Sequence, residues 1–445
     1  MTQRISTPAT APSGAVAEAD APLSFAQAQR VWASIGWRSF GGPTAQIALL
    51  HRELVASRGW LGEREFLDAL GFCMLLPGPE AMQLATYAGW KLHGVRGGLA
   101  AGLWFVLPGA LVVGTLAAIY STVGHVPWIV AAFAGIKATV LVLVIEAMFR
   151  IGRRALTQRR QLAVAAASLL ALGVFSAPYP LVVLAAGLLG ASWTTAARPT
   201  AVPSNAGLAP TLRTIVMWLA IWMLPLTAVA LALGPQHILV QLGWFFSKLA
   251  VVTFGGAYAV LGYMSQDVVT KHGWLTAGQM LDGLGLAETT PGPLILVTEF
   301  VGFVAAYSAQ PHARVAWGVA GAVVAVHATF APCFLWIFAG APHLARIRQL
   351  PRLQGALAAI TSAVLGVILS LALWFATHVL FAQTRTVHAG PAHFLVPAVA
   401  SVDLTMLALT LVSAVLLVRL RWSVQRVLAA TATISLLLSL LARRA

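Results

Sequence analysis

Charged residues are scarce in this chain, and most of those present are basic. Only 9% of the 445 residues are Asp, Glu, Lys or Arg, whereas 59% are hydrophobic. The mean hydropathy is +0.84. A soluble domain has too little interior to bury that much apolar surface. The composition therefore excludes a soluble protein and indicates one that a lipid bilayer solvates.

Cysteine is nearly absent as well. Cys73 and Cys333 lie far apart in apolar runs, which excludes a disulfide framework and a cysteine metal site. The histidines show no metal-ligand spacing, so no metal or cofactor is expected. Motifs of zinc proteases, serine hydrolases and P-loop NTPases are missing, so the chain is not expected to be an enzyme.

Long apolar stretches are present instead. Several runs of roughly 18–25 nearly uncharged residues each match the thickness of the hydrocarbon core of a bilayer. A transmembrane β-barrel has shorter, alternating segments. The predicted fold class is therefore an all-α polytopic membrane protein with about 13 transmembrane segments. Bilayer lipid is an expected partner, and a homodimer is compatible with this class.

The basic residues are distributed in a way that points to a membrane protein. The net charge of +15 arises from 28 Lys and Arg against 13 Asp and Glu. The arginines occur in short clusters between apolar stretches, which is typical of topology determinants and not of a nucleic-acid-binding face. Residues 1–22 lack the apolar core of a signal peptide, so they predict a disordered cytoplasmic tail.

The chain contains an internal repeat. When residues 40–79 are aligned with residues 254–293, at an offset of 214, 15 of the 40 positions are identical and no gap is needed. The match resumes after an insertion, with Pro108 on Pro332. The sequence therefore predicts three parts after the tail: a first repeat at 23–194, a linker with a connecting span at 195–235, and a second repeat at 236–445.

The two repeats carry their arginines in different loops. The first repeat has its cluster at 150–160, after its fourth span, whereas the second has it at 346–352, before the equivalent span. Because cytoplasmic loops are enriched in Lys and Arg, equivalent loops are expected on opposite sides of the membrane. This pattern predicts inverted-topology repeats, with an odd connecting span that flips the second copy.

Two helix-breaking motifs occur in each repeat at membrane depth. Proline removes a backbone donor and glycine adopts left-handed conformations, so we expect discontinuous helices, with a close backbone approach at each Gly-Gly pair. Paired breaks indicate a midplane substrate site, and the free amides of a helix start suit an anion. A kink for close packing is the alternative. The motif residues are Phe40, Gly41, Gly42, Pro77, Gly78 and Pro79, and in the second repeat Phe254, Gly255, Gly256, Pro291, Gly292 and Pro293.

Few polar side chains interrupt the apolar stretches. Arg38, Lys137 and Lys248 are predicted partners of the anion, and snorkelling to the interface is the alternative for each. Thr289 and Thr290 are predicted to contact the ion, or else to bond their own backbone. For four carboxylates, proton coupling and structural pairing are equal alternatives: Glu80, Glu146, Glu288 and Glu299.

These motifs together resemble the two-domain members of the chromate ion transporter family. The resemblance covers about residues 25–440, and it is carried by residues 40–54, 73–80, 84–87, 254–258, 273–276 and 287–294. It implies a bacterial inner-membrane protein that exports chromate with the ion-motive force, with the isosteric sulfate as a competitor. Transport of another tetrahedral oxyanion such as sulfate or molybdate is the alternative. The chain departs from the family pattern at Met82, Lys91 and Glu299.

The arginine pattern generates a prediction about topology. A reporter that is active only in the cytoplasm is fused after Arg154 in one hybrid protein and after Gly390 in another. It should be active in one fusion and silent in the other, because these loops are equivalent in inverted copies. Activity in both fusions, or in neither despite membrane insertion, contradicts the inverted arrangement.

Overall fold

The computed structural model describes residues 23–124, 126–193, 207–254, 257–347, 350–390 and 392–442. The predicted tail at 1–22, residues 195–206 of the predicted linker, and Gly255 and Gly256 of the second glycine pair lie outside the described residues.

The described part of the first repeat is helical. Capping residues define its start, since Ser24 accepts a hydrogen bond from the amide of Gln27 at the first helix. A left-handed residue, Gly94, divides the long fourth helix into two arms. The helices are α1 Phe25–Arg38, α2 Gly42–His51, α3 Glu63–Cys73, α4 Glu80–Val123, α5 Pro127–Ala155, α6 Arg159–Gly173 and α7 Tyr179–Ala191.

Helix α8, Leu208–Leu233, connects the repeats, and its most apolar window is only 11% buried within the protein. The second repeat follows the order of the first. Its helices are α9 Ile238–Val252, α10 Ala257–Gln266, α11 Ala277–Thr289, α12 Val297–Ala309, α13 Arg314–Gly340, α14 Leu344–Ile347, α15 Pro351–Leu380, α16 Leu404–Ala414 and α17 Val424–Ala442.

The second repeat also contains an antiparallel hairpin that was not expected from the sequence. Strands β1, Thr384–Ala389, and β2, Ala392–Pro397, pair between α15 and α16. The described apolar stretches are therefore mainly helical, as expected, and a small sheet lies in the connection between α15 and α16.

Six helices of the described part are long and apolar enough to cross a membrane. This finding confirms a polytopic helical membrane protein. Four shorter apolar helical segments accompany them. The six are Glu80–Val123, Pro127–Arg153, Leu208–Leu233, Arg314–His343, Pro351–Leu380 and Val424–Ala442.

The helices break where the motifs predict. Helix α1 ends at Arg38 and α2 begins at Gly42, because Gly41 and Gly42 adopt φ values of +84° and +74° that continue no right-handed helix. Gly78, between α3 and α4, has a φ of +120°, and Gly292, after α11, has a φ of +91°. The second break of the glycine type separates α9 from α10.

The four breaks are joined crosswise between the repeats. Gly78 donates its N–H to the carbonyl oxygen of Thr253 at 2.9 Å, and Gly292 donates its N–H to the carbonyl oxygen of Ser39 at 2.9 Å. Ser39 and Thr253 are equivalent residues, 214 apart, and so are Gly78 and Gly292. We call these two hydrogen bonds the cross-ties. Each Pro-Gly-Pro motif is thus held by the glycine-type break of the other repeat.

One cross-tie has additional support. The Gln46 side chain donates its Nε2 to the carbonyl oxygens of Ser39, at 3.1 Å, and Gly292, at 2.6 Å. The equivalent residue of the second repeat is Val260, which has no donor. The crossing of Ser39 with Gly292 therefore has a side-chain link that an aliphatic residue cannot supply.

The cross-ties generate a prediction about stability. A Cβ at Gly78 would lie 2.9 Å from both Cys333 Sγ and Gln83 Nε2, and one at Gly292 would lie 2.9 Å from Leu296 Cδ1. Gly78→Ala and Gly292→Ala should each destabilise the protein by about 2–5 kcal/mol, because backbone strain and overpacking add. The measurement is the thermal unfolding midpoint of the purified protein in detergent.

Another equivalent pair supplies matched controls. Gly59 and Gly273 have φ values of +60° and +61°, and no atom lies within 4 Å of an added Cβ. Gly59→Ala and Gly273→Ala should cost only the conformational strain, about 1–2 kcal/mol. If all four variants unfold at the same temperature, the crossing of the breaks does not stabilise the fold.

Candidate functional site

The first glycine-type break is the accessible part of the crossing. Phe40 is 36% exposed, and Gly41, Thr44 and Ala45 are at least partly exposed around the start of α2. No atom lies within 4 Å of an added Cβ at Gly42. The prediction of a close backbone approach at Gly42 is therefore wrong. Open space lies there instead, beside the first amides of α2, which have no acceptor inside the helix.

The Pro-Gly-Pro motifs, by contrast, are largely buried. Pro77, Gly78 and Pro79 are enclosed, as are Pro291, Gly292 and Pro293. Pro79 is the N-cap residue of α4, and Pro293 is the N-cap residue of the turn Leu294–Leu296. The close backbone approaches occur here, since the carbonyl of Pro291 lies against Gly109 of α4.

Glu80 places a carboxyl group at the start of α4, directly after Pro79. It is the first residue of α4, so its carboxyl group lies where the helix dipole favours negative charge. The equivalent residue, Leu294, is buried at the start of the turn Leu294–Leu296. An oxyanion at α4 would have to share the helix start with this carboxyl group, which makes α2 the more favourable place for it.

Arg38 ends α1 next to the open break. Its Nη1 donates to Glu53 Oε1 at 2.9 Å, and Arg58 binds the other oxygen of the same carboxylate. Burial raises the pKa of Glu53, and the hydrogen bonds from Arg58 and Arg38 outweigh it, so that the pKa lies below its ordinary value. The Arg38 side chain stays 49% exposed. One end of the guanidinium is anchored and the rest is accessible.

The other two predicted cations lie on helices α9 and α5. Lys248 is exposed on α9 and has no ion pair among the described residues. Lys137 Nζ lies 3.3 Å from Asp282 Oδ1 on α11. Asp282 is eight residues before Thr290 in sequence, a separation of about 12 Å along a helix. Lys137 and Arg38 therefore pair with different carboxylates, Asp282 and Glu53.

The two predicted threonines bond their own backbone, which was the alternative. Thr289 Oγ1 donates to the carbonyl of Leu286 at 2.8 Å, and Thr290 Oγ1 donates to that of Ala287 at 3.1 Å. Each hydroxyl oxygen still has lone pairs, but its hydrogen is engaged. Neither side chain is oriented as a free donor toward an anion.

The remaining predicted carboxylates have different environments. Glu146 pairs with Arg150, one turn away, at 2.9 Å and is 35% exposed. Glu288 is buried and accepts a hydrogen bond from Tyr258 at 2.6 Å. Glu299 is also buried, faces Gly114 of α4, and has no hydrogen-bond partner at Oε2 in the described part of the chain. A carboxylate without a counter-ion is costly to keep charged at such a place.

Several polar residues of the crossing were not predicted. Gln46 holds one cross-tie, and Gln83 donates to the carbonyl of Pro77 at 2.7 Å. Tyr120 and Tyr258 bind buried carboxylates, at Asp282 and Glu288. The identity of Asp68 and Asp282 between the two repeats was the sequence signal that could have pointed to Asp282.

Comparisons with known proteins indicate the family to which the chain belongs. The model of the family described as "Chromate transporter" matches residues 26–191 and 240–438. The chain is 31% identical to the chromate transport protein of Pseudomonas aeruginosa over 348 residues, which cover 78% of this chain and 80% of that protein.

Two further relatives extend the comparison. A chromate transport protein of Cupriavidus metallidurans is 28% identical over 75% of this chain and 78% of its own length. An uncharacterized transporter of Methanocaldococcus jannaschii is 24% identical over 77% of this chain and 82% of its own length. No solved structure matches the chain at a significant level. With both regions matched and relatives covered over most of their length, the chain belongs to the chromate transporter family.

Proposed function

We propose that this protein is a secondary active transporter that exports chromate across the bacterial inner membrane and thereby confers chromate resistance. The observation that carries the proposal is the crossing of four broken helices inside an apolar helical protein. Broken backbone at membrane depth is tolerated where it is enclosed by protein or lines a polar cavity, and transporters bind substrate at such places. Two of the relatives are chromate transport proteins, which suggests the ion.

The proposed architecture is a pair of inverted repeats with about 13 segments, an N-terminus in the cytoplasm and α8 as the connecting span. Reciprocal contacts support it, because two copies related by a two-fold axis bring residue i of one to residue j of the other and the reverse. The cross-ties have this form. The exposed surface of α8 supports a position at the periphery, next to lipid.

The chromate ion is proposed to bind beside the first glycine pair. A dianion in a low-dielectric environment needs a positive partner, and Arg38 is accessible there while Glu53 fixes its position. The amides of Gly42, Thr44 and Ala45 at the start of α2 add donors with a favourable dipole, whereas Pro43 has no N–H. Arginine and backbone amides recognise charge and shape, which is why the isosteric sulfate is expected to compete.

Glu299 is the proposed proton-coupling residue. It is buried, lies in α12 just after the turn that follows Pro293, and packs against the long helix α4. Because a charge on Glu299 is costly in this conformation, a conformational change that admits water or a cation would favour release of a proton. Glu146, which has a partner and is partly exposed, does not have this property.

Flux measurements test the proposed function directly. Energised everted membrane vesicles that contain the protein should accumulate chromate, and excess sulfate should reduce the initial rate. In everted vesicles the cytoplasmic side of the membrane faces the medium, so export from the cell is measured as uptake into the vesicle. Accumulation that is absent from everted vesicles but present in right-side-out vesicles would show import and overturn the proposed direction.

Coupling is tested with a near-isosteric variant. Glu299→Gln should lower chromate accumulation driven by a proton gradient at least about tenfold. The reason is that glutamine fills the same space as glutamate but does not ionise. Exchange of chromate against chromate without a gradient should persist. Glu146→Gln is the control and should accumulate chromate like the unmodified protein. Equal accumulation by the Glu299→Gln variant assigns the coupling to another group.

A further inference from the structure

A second polar cluster lies outside the crossing and joins the two repeats. Lys137 of α5 and Tyr120 of α4 belong to the first repeat, and both contact Asp282 of the second. Lys137 Nζ lies 3.3 Å from Asp282 Oδ1, and the Tyr120 hydroxyl donates to Asp282 Oδ2 at 2.8 Å. The carboxylate is therefore held independently through each oxygen.

The cluster lines a cavity of about 190 Å³ that opens to the surface. Asp282 is 4% exposed, and its Oδ1 has no hydrogen bond of good geometry in the described part of the chain. Lys137 is 23% exposed, so its ammonium group borders the cavity while it faces the carboxylate. This space is large enough for a tetrahedral oxyanion and ordered water.

Two other polar side chains line the cavity, Thr276 and Gln279, and both have hydrogen-bond donors. Thr276 and Gln279 cap α11 with their oxygens: Gln279 Oε1 accepts from the Thr276 amide at 2.9 Å, and Thr276 Oγ1 accepts from the Gln279 amide at 3.2 Å. The Thr276 hydroxyl hydrogen and the Gln279 NH₂ group have no acceptor among the described residues. Together with Lys137, three donors line the cavity at the start of a helix, where the dipole favours an anion.

We propose that this cavity is a second oxyanion site at the mouth of the transport path. In it, Lys137 leaves its ion pair with Asp282 and binds the incoming ion instead. The inference rests on the proposed function. Asp282 competes with the ion for Lys137, and Tyr120 keeps the carboxylate in place when Lys137 leaves it. A dianion attracts the ammonium group more strongly than a single carboxylate does, so the exchange favours sulfate or chromate over monovalent anions.

The other repeat lacks the lysine and tyrosine side chains of this site. The residues equivalent to Lys137 and Tyr120 are Thr361 and Leu344, at the offset of 224 that relates Pro108 to Pro332. Thr361 donates its hydroxyl to the carbonyl of Leu357 within its own helix. The two repeats therefore differ at this cavity. We expect the two ends of the transport path to bind the ion with different affinities as a result.

Protection of an introduced thiol tests the site. Val130 lines the cavity and is 50% exposed, and both native cysteines are buried, so Val130→Cys is the reactive thiol to label. Sulfate should slow its alkylation by N-ethylmaleimide, a neutral reagent. Val319→Cys, also 50% exposed but on α13 and not part of the cavity lining, is the control and should show no protection.

Variants of the ion pair decide how the site works. In the Val130→Cys protein, Asp282→Asn should lower the sulfate concentration that gives half-protection at least about tenfold. The reason is that asparagine keeps the shape of the competing carboxylate but removes its charge. Lys137→Met should abolish protection, and Lys137→Arg should retain it. Unchanged protection in the Asp282→Asn variant, or protection that persists in Lys137→Met, overturns the exchange.

The outcomes separate this inference from the proposed function. Chromate flux without sulfate protection of Val130→Cys refutes the second site alone. Protection without chromate flux refutes the proposed export alone. Molybdate serves as a second probe, and absence of protection by both anions in a correctly folded variant, judged by its elution volume in size-exclusion chromatography, also refutes the site.

Discussion

The arrangement of this protein depends on one constraint, which is that a broken helix inside a membrane must satisfy its free backbone groups with protein. Glycine and proline interrupt both repeats, and the interruptions expose amides and carbonyls that lipid cannot bind. The cross-ties solve this problem reciprocally, because each repeat supplies the acceptor for the other. The same contacts that stabilise the fold therefore bring the two repeats together at the place where an ion is proposed to bind.

Charge is distributed under a related constraint. Arg38 shares Glu53 with Arg58, Lys137 faces Asp282, and Arg150 pairs with Glu146, so these cations near apolar segments are compensated. A compensated cation can bind an oxyanion only by sharing or exchanging its carboxylate. Arg38 remains accessible while it is anchored, which suits sharing, whereas the position of Lys137 between a cavity and Asp282 suits exchange. We therefore propose two modes of recognition, one for each geometry.

Departures from symmetry are concentrated at polar residues. Gln46 reinforces one cross-tie where Val260 cannot, and the Lys137 cluster has no charged counterpart at Thr361 and Leu344. Glu299 occupies a position where the first repeat has Ala85. A perfectly symmetric pair of repeats would have equal affinities on both sides of the membrane. These differences make the two crossings of broken helices chemically unequal.

The sequence by itself determined the membrane class, the repeat and the positions of the helix breaks, because hydropathy, self-similarity and the conformational limits of glycine and proline are local properties. It also indicated the family, through motifs at those breaks. Only the tertiary structure decided that the breaks cross between repeats, that Gly42 is open while Gly78 is enclosed, and that Lys137 lies beside Asp282. These features depend on contacts between residues more than a hundred positions apart, or on the space around a backbone, and neither leaves a periodic signal in the chain.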